Sequence, residues 1–195
     1  MNKVKIGYPN PSINQKNNPT KHLKSQGMLF EHTLNLANEF YLNKGIAIIY
    51  KKPTPIQIVK VDYPSRNKAR ISEAYYQTPS TTDYNGIYKG YYIDYEAKET
   101  NNLSFSFKHI FHHQIEHLLK VRELGGLAFL IVLFKKIQEA YILDINDFFR
   151  LLKEAKSGGI QSITLEKFKK YGKQALLGYT PTIDYLKSVD ELYNL

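Results

Sequence analysis

The sequence contains no cysteine and no long apolar run, and each absence excludes a class of protein. Without cysteine, disulfide bonds and thiolate catalysis are both excluded, which fits a reducing cytosol. The most apolar stretch, Leu127 to Phe134, is far too short to cross a bilayer, which takes about 20 residues. The residues before Gly27 hold no apolar segment that could serve as a signal-peptide core. We therefore expect a soluble, cytoplasmic protein without a membrane partner.

Acidic residues are scarce beside basic ones. The chain has 18 Asp and Glu against 27 Lys and Arg, a formal net charge of +9 and a pI near 9.4. Such a balance favours a polyanionic partner such as nucleic acid. The competing interpretation is a genome rich in A and T, which enriches lysine, asparagine, isoleucine and tyrosine without a functional cause. No helix pairs a basic face with a broad apolar one, so a membrane-surface role is disfavoured.

The composition is that of a globular protein, with 43% hydrophobic and 13% aromatic residues, and 195 residues suit one domain. Residues 1–26 are polar and basic without periodicity, so we expect a flexible N-terminal arm. Residues 27–195 carry regular patterns and are expected to form the folded domain. Within it, residues 54–79 hold too few apolar side chains for a core element, and they predict a projecting excursion of short β pieces.

Apolar spacing and turn residues place the remaining helices and strands. The predicted helices are Gly27 to Asn43, Phe107 to Glu123, one N-capped by Asn146, Leu165 to Tyr171, and a short one after Pro181. The predicted strands are Ile46 to Tyr50, Tyr84 to Tyr88, Tyr91 to Lys98, Leu127 to Phe134, and Ala140 to Leu143. Helices alternate with strands, so the predicted class is α/β, with a mixed central sheet flanked by helices.

One predicted strand has an unusual charged face. Side chains alternate along a strand, so Asp94, Glu96 and Lys98 point to the same side. Apolar elements flank this strand in the sequence, and burying unpaired charges costs several kcal/mol each. The charges are therefore expected to pair with one another or to hold a cation. The alternative is an edge strand whose charged face is solvated.

The hairpin also returns Asp83 to the side of Glu96. Two carboxylates and a backbone carbonyl, which Ala97 can supply, are hard oxygen ligands of the kind that Mg²⁺ accepts. A bound Mg²⁺ polarises a phosphate and lowers the pKa of a water molecule. Lys98 can place its ammonium against the charge that builds on phosphorus. The pattern thus favours phosphodiester hydrolysis, although a short D…E-x-K match also occurs by chance.

Residues of the helix that starts at Phe107 extend this hypothesis. Gln114 lies near the apolar seam of the helix, where its amide carbonyl can face a metal held by Glu96, although a Gln at the margin of the seam is the commoner case. His113 and His117 share a helical face, but a zincin motif requires Glu in the place of Gln114. We therefore expect these histidines to be solvated or to face phosphate rather than to bind zinc.

Longer strings of residues are far more specific than the D…E-x-K match. They are Lys51-Lys52-Pro53-Thr54-Pro55, Val61-Asp62-Tyr63-Pro64, Ser80-Thr81-Thr82-Asp83-Tyr84-Asn85-Gly86-Ile87-Tyr88-Lys89-Gly90, Ile93-Asp94-Tyr95-Glu96-Ala97-Lys98-Glu99-Thr100, His113-Gln114-Ile115-Glu116-His117, Leu177-Gly178-Tyr179 and Ile183-Asp184-Tyr185. In this order, from about Gly27 to Tyr193, they resemble the RecU family of Holliday-junction resolvases.

The RecU resemblance implies a restriction-endonuclease-like fold, a homodimer and a requirement for Mg²⁺, with Mn²⁺ as a substitute. It implies symmetrical cutting of branched, four-way DNA in recombination and repair, with recombination proteins as candidate partners. By position, it implies that Thr81, Asp83, Glu96 and Gln114 bind the metal. It also implies that Lys98 stabilises the transition state, so that Asp83, Glu96 and Lys98 are the catalytic residues.

The same resemblance implies that residues 54–79 form a stalk that enters the centre of the junction. Arg66 is expected to contact phosphates, and Tyr76 to stack on an unpaired base. Lys68 and Arg70 complete a basic cluster that is expected to bind DNA. Two departures from the family are visible: family members often carry Phe where Tyr76 stands, and the interval from Glu96 to Gln114 is one residue shorter here.

Two rival functions account for part of the pattern. An architectural protein that folds branched DNA without cutting it would use the basic charge and the stalk equally well. It would leave the acidic cluster unexplained, because carboxylates repel phosphate unless a cation lies between them. A nuclease for ordinary duplex DNA is the other rival, and competition between four-way and linear DNA separates it from a resolvase.

Overall fold

The computed structural model describes residues 26–65, 68–77 and 81–195. Its helices are α1 Gln26–Asn43, α2 His112–Glu123, α3 Ile145–Gly158, α4 Leu165–Tyr171 and α5 Tyr185–Tyr193, with a 3₁₀ turn at Phe107–His109. Its strands are β1 Ala47–Lys51, β2 Ile56–Asp62, β3 Arg70–Tyr76, β4 Tyr84–Tyr88, β5 Tyr91–Thr100, β6 Ser104–Ser106, β7 Leu127–Phe134, β8 Glu139–Asp144, β9 Ser162–Thr164, β10 Lys173–Leu177 and β11 Ile183–Asp184. None of the helices in these ranges is long and apolar enough to cross a membrane.

Seven strands form one mixed sheet in the order β1-β4-β5-β7-β8-β10-β11. β5 and β7 are parallel, and the other neighbours in the sheet are antiparallel. The parallel pair requires a crossover, and α2 lies in that connection between the two strands. The predicted α/β class, a mixed central sheet flanked by helices, is confirmed.

The sheet separates two hydrophobic cores. On one face, α1 and α5 pack over a core that includes Tyr95 and Phe129. On the other face, α2, α3 and α4 pack over a core that includes Leu130 and Val132. The run of apolar residues in β7 is buried on both sides, as expected for a strand at the centre of a sheet. Because β5 lies next to β7, its charged face points toward the side that α2 covers.

The predicted hairpin of β4 and β5 is confirmed in its register. Tyr84 pairs with Tyr95 and Tyr88 with Tyr91, so the turn falls at Lys89 and Gly90. Both turn residues have positive φ, 48° and 82°, which suits a tight two-residue connection. β5 continues two residues past the predicted end and reaches Thr100.

The excursion predicted at residues 54–79 contains a hairpin of its own, which we call the stalk. β2 and β3 pair only with each other among the described strands, and their residues are almost all exposed. Backbone bonds close the hairpin at its base, where Gln77 N donates to Pro55 O at 3.0 Å and Lys52 N donates to Asp83 O at 2.8 Å. The projecting β stalk of the prediction is thus confirmed.

The predicted helix from Phe107 to Glu123 is wrong at its beginning. Ile110 and Phe111 are extended, and they separate the 3₁₀ turn from α2. The physical reason is a side-chain contact, because Gln114 Oε1 accepts a hydrogen bond from Phe111 N at 3.0 Å and caps the new helix. Continuing the helix through Phe111 would break this cap.

The predicted N-cap of α3 is also wrong by two residues. Asp144, not Asn146, caps the helix, and its carboxylate accepts a hydrogen bond from Asn146 N at 2.7 Å. An ionised carboxylate is favoured at the positive end of the helix dipole. The helix predicted from Gly27 begins at Gln26, and residues 1–25, nearly all of the predicted arm, lie outside the described part of the chain.

Candidate active site

The hairpin brings Asp83 and Glu96 into contact, as the sequence predicted. Asp83 precedes β4 and Glu96 lies in the middle of β5. Each carboxylate accepts a backbone hydrogen bond from the other segment: Asp83 N donates to Glu96 Oε2 at 3.1 Å, and Ala97 N donates to Asp83 Oδ2 at 3.1 Å. These reciprocal bonds fix both side chains relative to the sheet.

Lys98 completes the charged group. Its ammonium forms an ion pair with Glu96 and lies 3.9 Å from Asp83 Oδ2. Glu96 is fully buried, whereas Lys98 and Asp83 are partly exposed. The alternation of side chains along β5 therefore places one cation beside two carboxylates at the edge of the buried core.

Gln114 reaches the same group from α2. The residue is buried, and its Nε2 donates to Glu96 Oε1 at 2.7 Å. Its Oε1, the atom predicted to face a metal, accepts the hydrogen bond from Phe111 N. The structure thus brings Gln114 to Glu96, and its role as a metal ligand stays a prediction.

A cavity of about 570 Å³ opens over these residues. Its wall includes the predicted site residues Thr81, Asp83, Glu96, Lys98 and Gln114. Lys51 and Lys52 line it from the base of the stalk, and Phe111 lines it from the start of α2. Residues far apart in the sequence therefore meet around one polar opening, as expected of a functional site.

Burial and charge raise the pKa of Glu96. The main cause is loss of solvent around the carboxylate, followed by the negative charge of Asp83, while Lys98 acts in the opposite direction. The resulting pKa is about 7, against a usual value of 4.5. A carboxylate whose pKa is raised by burial and by a neighbouring charge is typical of functional sites.

Asp94, on the same face of β5, has a separate set of partners. It is fully buried and accepts hydrogen bonds from Lys52 Nζ and Tyr92 Oη, each at 2.8 Å. His117 Nε2 lies 2.9 Å from its Oδ2, so the prediction that this histidine is solvated or faces phosphate is wrong. Sequence reasoning missed Lys52 altogether, because nothing in its local pattern distinguishes it from its neighbours.

The predicted DNA-binding residues lie on the stalk and not in the cavity. Tyr76, at the end of β3, is 85% exposed, and Arg70 and Lys68 are exposed as well. Arg66 lies outside the described residues. The stalk therefore presents basic and aromatic side chains apart from the carboxylates, while its base borders the cavity.

The family model described as RecU, Recombination protein U, matches residues 25–191. The chain belongs to the RecU family. It is 48% identical over 170 residues to the Holliday junction resolvase RecU of Geobacillus sp. (strain WCH70), a match that covers 87% of this chain and 85% of that protein. It is 46% identical over 196 aligned positions to the Holliday junction resolvase RecU of Bacillus thuringiensis (strain Al Hakam), covering 96% of this chain and 98% of that protein.

A solved structure is also similar to this RecU chain. It is that of Archaeoglobus fulgidus Hjc, a Holliday junction resolvase, with a TM-score of 0.45 and 13% identity over 74% of this chain and 93% of that one. Membership of the RecU family confirms the resemblance drawn from the sequence strings.

The donor atoms of this RecU site suit a hard divalent cation. Within residues 26–65, 68–77 and 81–195, no three His, Cys, Asp or Glu side chains form a metal-ligating group. A cation held by Asp83 and Glu96 would therefore take its other ligands from neutral oxygens and water. Magnesium accepts such a set, because it usually keeps several waters and needs only one or two carboxylates.

The Glu96→Gln variant of this RecU chain is expected to be more stable than the wild type at high pH without metal. Because folding raises the pKa of Glu96, its contribution to stability is fully present below pH 4.5 and is lost as the pH rises through about 7. The variant carries no such loss. We expect a gain on the order of 1–3 kcal/mol at pH 8, and clearly less at pH 5, in thermal unfolding with EDTA.

Glu123→Gln is the matched control for that measurement, because Glu123 is an exposed residue at the end of α2 that pairs with Lys120. It should change the stability little at either pH. If Glu96→Gln destabilised the protein equally at pH 5 and pH 8, a raised pKa of Glu96 in the folded protein would be contradicted.

Proposed function

We propose that this RecU-family chain is a Mg²⁺-dependent endonuclease that acts as a homodimer on four-way DNA junctions in recombination and repair. The observation that carries the proposal is the contact of Asp83 and Glu96 with each other and with Lys98 in one cavity, directly below the stalk. Relatives 46–48% identical over most of the chain bear the name Holliday junction resolvase, which supports the same activity.

Each residue of the cavity has its own role in the proposed hydrolysis. Asp83 and Glu96, helped by Thr81 and Gln114, would hold the cation. When bound, Mg²⁺ polarises a phosphate and lowers the pKa of a water molecule. Lys98 lowers the pKa of Glu96 and presents its ammonium to the charge that develops on the phosphorane oxygens. Gln114 donates to Glu96 and so orients the carboxylate.

The shape of the stalk favours branched DNA as the substrate. A two-stranded projection with exposed aromatic and basic side chains can enter an opening in the DNA, where unpaired bases and converging phosphates are accessible. A homodimer follows from the symmetry of the task, because two strands must be cut at equivalent positions and a two-fold dimer presents two equivalent sites. The cytoplasmic location and contacts with recombination proteins stay predictions.

Cleavage of a synthetic mobile junction tests the proposal. The wild-type protein should nick two opposing strands at paired positions with Mg²⁺ or Mn²⁺, and should not cut with Ca²⁺ or EDTA. Tight junction binding without cleavage in any divalent cation would favour the architectural rival. Equal cleavage of four-way and linear DNA in competition would favour a nuclease for ordinary duplex.

Tyr76→Ala is expected to weaken junction binding by about 5- to 150-fold, because stacking of a base on an aromatic ring contributes about 1–3 kcal/mol. The ring is 85% exposed, so its removal should not disturb the fold. Electrophoretic or fluorescence binding in Ca²⁺ measures the effect. Tyr76→Phe should bind like the wild type, since the ring is kept.

Tyr179→Ala is the matched control, because Tyr179 is 100% exposed and lies far along the chain, just before β11. It should bind the junction normally. A normal affinity for Tyr76→Ala would contradict a stacking role for this residue.

A further inference from the structure

The buried carboxylate of Asp94 collects donors from three other segments of the chain. Lys52 Nζ and Tyr92 Oη donate to Oδ2 at 2.8 Å, His117 Nε2 lies 2.9 Å from the same atom, and Thr82 Oγ1 donates to Oδ1. Asp94 is fully buried and is not part of the cavity wall. This buried carboxylate is paired with four donors and lies outside the cavity wall, so its function is to hold other groups in place.

Each donor belongs to an element that frames the active-site cavity. Lys52 follows β1, where the chain leaves the sheet for the stalk, and Thr82 lies where it returns. Thr82 stands between Thr81 and Asp83, two of the proposed metal ligands. His117 lies on α2, one turn after Gln114. Asp94 therefore links both ends of the stalk and the helix to the strand that carries Glu96.

Lys52 is the centre of this arrangement on the stalk side. Its ammonium also donates to Thr82 Oγ1 at 2.8 Å, and its backbone N donates to Asp83 O at 2.8 Å. Its side chain is only 17% exposed. The neighbouring Lys51 differs, since its ammonium forms an exposed pair with Glu31. Both lysines line the cavity, and Lys52 hydrogen-bonds to Thr82 and Asp83, whereas Lys51 pairs with Tyr84 of β4.

We propose that Lys52 and Asp94 are positioning residues that lock the segment Thr81–Asp83 and the base of the stalk onto β5. The pair sets the distance between Asp83 and Glu96. It therefore determines how well the two carboxylates bind a cation when DNA binds to the stalk. The inference rests on the proposed function for its link to cleavage. Its structural part, the placing of Asp83, can be measured without DNA.

The competing explanation is that Lys52 contacts a DNA phosphate directly. Under that explanation its loss weakens junction binding in the same way as the loss of Lys51, because both remove one positive charge from the same cavity. Under the positioning role, its loss weakens cation binding and turnover, since the ammonium is directed at Thr82 and Asp94. Outer-shell partners of metal ligands typically change metal affinity or activity by about 10- to 100-fold.

The experiment compares Lys52→Met with Lys51→Met, its matched control in charge and shape. In DNA-free protein, Mn²⁺ binding followed by electron paramagnetic resonance should weaken about 10-fold for Lys52→Met and by less than about twofold for Lys51→Met. Amide hydrogen exchange at Asp83 should accelerate only in Lys52→Met. With a junction, kcat should fall about 10- to 100-fold while the binding constant in Ca²⁺ stays close to that of the wild type, and Lys52→Arg should recover most of the loss.

A double-mutant cycle with Asp94→Asn tests the link between the two residues. Lys52→Met with Asp94→Asn should be no worse than the poorer single variant, because both remove the same contact. Losses that multiply would overturn the proposal, as would equal Mn²⁺ affinity in the two lysine variants. Should Lys52→Met fail to fold, Tyr92→Phe removes one donor from a partly exposed ring, and a normal Mn²⁺ affinity there would count against the proposal.

The two hypotheses fail in different ways. If the wild-type protein binds Mn²⁺ but cuts no junction, the proposed function is wrong while the positioning role still stands on the Mn²⁺ and exchange data. If the wild type cuts junctions and Lys52→Met behaves like Lys51→Met in every measurement, only the positioning role is wrong.

Discussion

Asp83→Asn is expected to slow junction cleavage on the order of 10³-fold while junction binding in Ca²⁺ stays within about threefold of the wild type. The substitution keeps the shape of the side chain and an oxygen that can accept from Ala97 N, but removes one of the two negative charges proposed to hold the cation. Binding persists because the basic stalk is unchanged. Single-turnover cleavage and a binding titration give the two numbers.

The same variant has a second expected effect, on Glu96. The charge of Asp83 is the second largest cause of the raised pKa of Glu96, so its removal should lower that pKa from about 7. The metal-free variant should therefore lose less stability between pH 5 and pH 8 than the wild type does. Asp147→Asn on α3 is the matched control, since Asp147 pairs with Arg150 at the surface. Cleavage by Asp83→Asn at the wild-type rate would falsify the metal assignment.

Lys98→Met is expected to lower the cleavage rate by about 10²- to 10³-fold, because it removes the ammonium group proposed to stabilise charge on the phosphorane. Metal binding should be weakened less, since both carboxylates remain. Lys98 also lowers the pKa of Glu96, so its loss should raise that pKa further. The residual activity should consequently rise with pH over a more alkaline range than in the wild type.

Single-turnover rates from pH 6 to pH 9 at saturating Mg²⁺ measure both effects. Lys187→Met on α5 is the matched control, because Lys187 is exposed on the helix that packs on the opposite face of the sheet. An unchanged pH profile with a normal rate would show that Lys98 neither stabilises the transition state nor influences Glu96.

The part of the site that lies within β5 was predictable from the sequence. Strand alternation alone placed Glu96 and Lys98 on one face, and the turn at Lys89 and Gly90 determined where Asp83 returns. The RecU strings added Thr81, which no local pattern assigns to a metal, and supported Gln114, which helical spacing had already placed near Glu96. The long apolar strand β7 was predicted to the residue, because its apolar content dominates every other local signal.

The contacts of Asp94 could not be predicted in this way. Lys52 is 42 positions before Asp94 in the sequence, and His117 is 23 positions after it, so the contacts depend on how the sheet and α2 assemble. The break before α2 depends on one side-chain bond from Gln114, which competes with helix propensity. The short strands β6, β9, β10 and β11 were missed because two to five residues carry too little periodicity to be recognised.

Because Lys52 N is hydrogen-bonded to Asp83 O, the chain leaves the sheet and re-enters it at neighbouring points. The intervening hairpin is therefore an insertion between neighbouring points of the sheet. A short turn could replace it without displacing the strands on either side. Such an insert can be lengthened, shortened or given other side chains while Asp83 and Glu96 stay in place. Under the proposed function, recognition of DNA shape and hydrolysis are thereby separable traits.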